Sequence, residues 1–269
     1  MDATRELLLL QICDSVFPIG AYSHSYGLET YIQLGLVHDE ATAWQFVERQ
    51  IRYPLTYTEL LGMRLAYDAA KASDLERIAS EEALMAAAKV PAETRAASQK
   101  MAARFCKTAA GFLDGPAHAL FSRYAHGDPI GDGYKRDQSG GRRAAFAPGD
   151  FRDWRASDDL RGPRENRPQG AHMVNAAYGV FAALAGIDEE ELLRRYLYSQ
   201  VSAMVANCVK TVPLSQTSGQ HLLFRSAPLQ VEAVATALAA SPDLLGLSMP
   251  GFDVRCIEHE TLYSRLYMS

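Results

Sequence analysis

Cysteine is scarce in this chain: four in 269 residues, at Cys13, Cys106, Cys208 and Cys256, with no C-x-x-C pair. That spacing argues against a zinc site or a disulfide framework and leads us to expect reduced, mostly buried thiols. Long apolar runs are missing too. The stretch Leu7 to Leu10 is far too short to span a membrane, and the opening MDATRELLLLQICD carries acids where a secretory signal would be basic. A soluble, cytoplasmic protein with no membrane role is expected. There is no basic excess: the net charge is −5 and the pI about 5.8, which weighs against nucleic acid as the main partner. Catalytic signatures are absent as well. No G-x-S-x-G elbow, H-E-x-x-H pair or G-x-x-x-x-G-K-[ST] loop occurs, and no two of the seven histidines stand at i, i+4. Neither an enzyme active site nor a multi-histidine nickel or zinc centre is readable.

What is present is helical period. In IDEEELLRRYLYSQVSAMVANCVK, Asp188 stands at the N-cap, Glu191 at N3, and Ile187 and Leu192 at the hydrophobic-staple positions. Glu189, Glu190 and Glu191 suit the positive end of the helix dipole. Leu193, Leu197, Val201, Met204, Val205 and Cys208 recur at three- and four-residue steps, a buried stripe that Pro213 ends or kinks. Further helices are expected over Thr4–Cys13, Asp39–Tyr53, Leu55–Lys71, Leu75–Lys89, Pro91–Gly111, Val174–Ala185 and His221–Ala239, with Pro54 breaking the second run from the third. Alternating strand patterns are rare. The expected fold is all-α, a single compact multi-helix, bundle-like domain over 1–269.

One segment differs. Between His126 and Ala171 lie eight of the 19 glycines and four of the 12 prolines, dense mixed charge and almost no aliphatic residues. Such a stretch buries too little apolar surface to offset its ordering entropy. It reads as a disordered insertion, 126–171, between two helices of one domain.

Three groups of residues are candidates for function. His24, in FPIGAYSHSYGLE, is a base or metal ligand on one reading and a hydrogen-bonded loop histidine on the other; the second is favoured, since no acid or nucleophile is matched to it. Arg194, Arg195, Tyr198 and Lys210 lie on or just beyond the capped helix, with Arg194 and Tyr198 on one face. They form either a solvated cationic surface or a contact surface for an acidic partner, where Arg and Tyr are favoured anchors. The end of the chain, HETLYSRLYMS, is apolar where termini are usually polar. Leu262 and Leu266 are one helical turn apart, as are Tyr263 and Tyr267, so a helix there is apolar on more than one side and part of it should meet another molecule.

Together FPIGAYSHSYGLETYIQLG, NCVKTVPLSQTSGQ and HETLYSRLYMS resemble the urease accessory protein F family, in sequence and in their order along the chain, from about Leu7 to Ser269 without the insertion. The resemblance implies an all-α homodimer, not itself an enzyme, that assists the maturation of urease, the nickel hydrolase. It implies that the chain binds the accessory protein called D or H, that the pair recruits the GTPase accessory protein G, and that the complex passes nickel to apo-urease. No cofactor is then bound stably; nickel is handled by the complex. By the same resemblance Tyr22 matches a dimer and GTPase-facing position, and Arg194 and Lys210, with Tyr198 beside them, belong to the surface that receives the GTPase. The tail 259–269 is expected to be loose in the free protein and helical when docked on the D/H partner through His259, Glu260, Leu262, Tyr263, Arg265, Leu266, Tyr267 and Met268. The insertion departs from the family pattern, which joins these helices by a shorter segment. The alternative is a metallochaperone that holds nickel itself through His24 or a cysteine.

Overall fold

Helix α9, Glu189–Thr211, forms as its sequence dictates. The Asp188 carboxylate accepts from the Glu191 amide at 3.1 Å, and Ile187 and Leu192 are both buried. The stripe from Leu193 to Cys208 is buried along its length, and the helix ends before Pro213. The computed structural model describes residues 2–21, 24–127 and 172–267. Among these residues there are helices and turns but no strand, so the fold is all-α.

The remaining helices are α1 Ala3–Ile12, α2 Leu28–Gln33, α3 Glu40–Gln50, α4 Leu61–Lys71, α5 Leu75–Ala88, α6 Ala92–Ala109, α7 Gly115–His126, α8 Val174–Ala185, α10 Gln216–Ala239 and α11 Pro250–His259. The core centres on α4 and α8. A Cβ added at Gly179 of α8 would lie 2.3 Å from the Met63 carbonyl oxygen of α4, so glycine is what lets the two backbones touch. Around this crossing, Phe105 stacks on Tyr178, and Phe181 meets Phe105 and Phe121 edge to face. One continuous apolar cluster runs from Leu9 to Ala237 and draws on helices from both sides of the insertion.

Pro54 does not interrupt its helix. From Ile51 to Leu60 the backbone widens into a π-helix that joins α3 to α4 without a break. Proline cannot donate to the carbonyl one α-turn back and its ring crowds that carbonyl; the wider winding relieves the clash. Three further donors reach carbonyls of this stretch. Thr56 donates its hydroxyl to the Ile51 carbonyl at 2.6 Å. Asn175 on α8 donates its side-chain amide to the carbonyls of Thr58 (3.0 Å) and Glu59 (3.3 Å), and the Gly246 amide reaches the Tyr57 carbonyl at 3.1 Å. Helix α10 also begins five residues before its expected start, capped by Ser215, and α2, α7 and α11 are additional to the helices expected from period alone.

The stretch His126–Ala171 lies almost wholly outside the described residues, and its expected disorder with it. Its two flanks meet on one buried carboxylate. Glu82 on α5 accepts from the Tyr124 hydroxyl (2.8 Å) at the end of α7, from the Met173 amide (3.0 Å) before α8, and pairs with His172 Nδ1 (2.8 Å). The Tyr124 and His172 rings lie 4.0 Å apart, centroid to centroid.

Candidate functional site

The C-terminal helix α11 reaches its place by seating on α2. Gly27, at φ 76°, starts α2 in the left-handed region that disfavours a side chain, and a Cβ there would lie 2.9 Å from the Cys256 sulfur. The Thr30 hydroxyl donates to the Arg255 carbonyl at 2.9 Å. Phe252, Cys256 and His259 are the buried residues of α11, while Val254 and Ile257 are exposed.

His259 is the pivot of the site. It is fully buried, with Nε2 3.0 Å from a Glu29 oxygen and Nδ1 3.5 Å from a Glu93 oxygen. Beyond it the chain leaves the helix and continues as turns. The Glu260 carboxylate accepts from the amides of Ala92 (3.0 Å) and Glu93 (3.3 Å), capping α6, where Pro91 offers no side-chain acceptor. Gln33 donates to the Ser264 carbonyl at 3.2 Å, and Arg265 pairs with Glu93 at 2.7 Å. Finally the Leu266 and Tyr267 amides donate to the two oxygens of Glu29, at 2.7 and 3.0 Å.

The tail is therefore bound by its backbone and bare on its surface. Tyr263 is fully exposed and Leu266 is 82% exposed, and Arg265 is exposed as well. Leu262 and Tyr267 are half-buried, and His259 and Glu260 face inward. Where sequence alone suggested a segment loose until docked and helical thereafter, residues 260–267 are non-helical turns already tied to α2 and α6. Met268 lies outside the described residues. Glu29 and Glu93, which hold the tail, escaped the sequence reading. The only signal was an acid, Glu29, set beside apolar Leu28 in a quoted motif.

The second candidate surface lies on α9. Arg194 and Tyr198 are exposed on one face. Arg194 is paired with both Glu190 and Glu191 in the first turn, so its charge is shared locally. Lys210 is exposed in the last turn, ~24 Å along the axis at 1.5 Å per residue and well round the helix from Arg194. The structure thus joins Arg194 and Tyr198 and holds Lys210 apart. Tyr22 lies outside the described residues.

His24 is buried, and its carbonyl accepts from Asn207 at 3.0 Å. Burial, with the charges of Lys100 and Arg104, pushes its pKa below the usual value, against a smaller opposing pull from Glu93. Burial also pushes each of the four thiols up to about 12, which keeps them protonated at neutral pH. Among the described residues no three His, Cys, Asp or Glu side chains gather as a metal site would require. No helix among them is long and apolar enough to cross a membrane.

Over residues 37–227 the chain matches the family model described as UreF. The chain belongs to the UreF family. Its role is accordingly that of a urease accessory protein, and association with other urease accessory proteins comes with the family. The matched range contains NCVKTVPLSQTSGQ and the whole of α9, whereas FPIGAYSHSYGLETYIQLG precedes it and the tail follows it. Family membership therefore rests on the helical body, and the reading of the tail rests on its own geometry.

Proposed function

We propose that this UreF-family chain is a non-enzymatic adaptor. As a homodimer it docks the D/H accessory protein through its C-terminal tail, recruits the GTPase accessory protein G through the Arg194–Tyr198 surface with Lys210 and Tyr22, and so serves nickel delivery to apo-urease in the cytoplasm. Nickel is cargo of the assembly and not a resident of this chain. The observation that carries the reading is the contrast within the tail: Tyr263 and Leu266 are apolar and bare while the backbone that bears them is tied down. A large apolar side chain held out in water on an anchored segment is suited to a partner's pocket.

The test is co-purification with the D/H partner by full-length chain and by a chain ending at Leu262. That end point keeps His259 and Glu260, which are structural, and removes the exposed side chains. We expect the shortened chain to stay helical and to lose the partner; retention of the partner would rule out docking by the tail.

A further inference from the structure

We propose that the outward face of α6, with the groove between α6 and α7, is a docking surface for an acidic protein segment. The inference goes beyond the tail and the α9 surface and rests on neither. No acid occurs between Glu93 and Asp114, whereas Arg95, Lys100, Arg104 and Lys107 all fall there, in a chain whose net charge is −5. Arg95 turns back to the carbonyls of Lys89 and Val90, at 2.7 and 3.0 Å. The other three are exposed. Their steps of four and three residues place them on one face of the helix, spread over roughly 10 Å of its axis. Lys100 and Lys107 form no ion pair among the described residues. Arg104 is held in place: its Nη1 donates to the Ile19 carbonyl at 3.0 Å, and Gly20, at φ 85°, leaves the room, since a Cβ there would collide with that nitrogen. The same cations act inward, because the charges of Lys100 and Arg104 add to burial in holding His24 below its ordinary pKa.

Beside this face runs the groove, about 400 Å³ in volume. Ala103 and Ala110 of α6 and Ser122 and Ala125 of α7 keep it open because they are small, and Lys107 and His126 line it with them. His126 donates through Nδ1 to the Ser122 carbonyl at 2.7 Å, which leaves Nε2 to take up a proton beside a carboxylate. No acid is among the described lining residues, and Glu82, reached through His172, is already engaged by Tyr124 and Met173. A row of cations along a cleft of small side chains suits a segment whose carboxylates meet Lys100, Arg104 and Lys107 while its backbone lies over the alanines. The negative charge of the whole chain repels an extended polyanion such as nucleic acid, whereas a protein segment can confine its charge to the length of this face.

Fluorescent hexaglutamate is the probe, with hexaglutamine as its uncharged counterpart, each titrated into the full chain. Hexaglutamate should bind and hexaglutamine should not, and binding should weaken steeply between about 50 and about 200 mM salt. Lys100→Glu combined with Lys107→Glu should weaken it about tenfold or more. Lys71→Glu combined with Arg77→Glu changes the net charge equally, also at exposed positions, and should leave binding within about twofold of native. In the native protein, hexaglutamate should shield Lys100 and Lys107 from an amine-reactive label and leave Lys71 open to it, a readout that needs no variant. Equal weakening by the two double variants, equal shielding of all three lysines, or hexaglutamate bound no better than hexaglutamine overturns the proposal. So does tighter binding of hexathymidylate, which would assign the face to nucleic acid. A changed oligomeric state in the Lys100→Glu, Lys107→Glu protein would assign the face to contact between copies of this chain, and overturns it equally.

Discussion

Three acidic side chains bind the backbone of segments remote in sequence: Glu29 the tail, Glu82 the start of α8, and Glu260 the first turn of α6. A carboxylate accepting from main-chain amides needs no matching side chain, so this use leaves no charge pattern to find. Glu82 holds Tyr124, His172 and Met173 at once, and Glu82→Gln should destabilise the protein by about 1.5–3 kcal/mol, seen as a lower midpoint in urea. Its partner His172 makes a pH-dependent contribution. Burial works against the charged imidazole, but the hydrogen bond and charge of Glu82, with the Tyr124 and Ala125 backbone, outweigh it and raise the pKa above 6.5. A histidine raised on folding stabilises fully below its unfolded value and loses that contribution as pH climbs through the folded one. The gap in melting temperature between native protein and His172→Gln should therefore be wider at pH 6 than at pH 8.5. His24, lowered on folding, acts in the opposite sense and is common to both proteins.

At the scale of elements, the α3–π–α4 run is the clearest case of distant residues overruling a local rule. Proline at position 54 signals a break, yet the helix widens and passes through, with Thr56, Asn175 and Gly246 donating to carbonyls of the widened turns. Two of the three lie far along the chain, where no reading of IRYPLTYTEL could find them. Asn175→Ala should cost roughly 1–3 kcal/mol by removing the side-chain donor that the Thr58 and Glu59 carbonyls share, measurable by thermal or urea unfolding. Helix α9 was legible because its determinants are local: the Asp188 cap, the staple and the stripe all lie within it. By contrast α2 and α11 are short, and they stand because Gly27, Thr30 and Cys256 fit one another. The tail was half legible. Its apolar content stood out, but which side faces inward depends on Glu29 and Glu93. The flanks of the insertion were illegible for the same reason: their closure depends on Glu82. Since Tyr124 and Met173 both bind one oxygen of that residue, a short glycine–serine linker in place of 128–171 should leave the melting temperature within a few degrees of native.

For the whole molecule, the two candidate surfaces arise from different parts of the fold. Tail, α2, α6 and α11 make the first, tied through His259; α9 carries Arg194 and Tyr198 of the second and is rooted in the core by its buried stripe. Helix α2 does touch α9, but Arg194 takes its partners from its own first turn. Perturbations at separate sites without shared contacts act nearly independently, so the adaptor reading makes a separable forecast. Arg194→Glu, which also puts a third acid beside Glu190 and Glu191, should leave capture of the D/H partner intact and weaken recruitment of the GTPase by the resulting pair. A chain ending at Leu262 should fail at the first step and therefore at the second. Measured by sequential pull-down with purified partners, this order of dependence is what an adaptor requires: the tail gates assembly, and the α9 surface acts only once assembly has begun. If Arg194→Glu abolished both captures equally, or the shortened chain still recruited the GTPase at full strength, the two surfaces would not be arranged in that sequence.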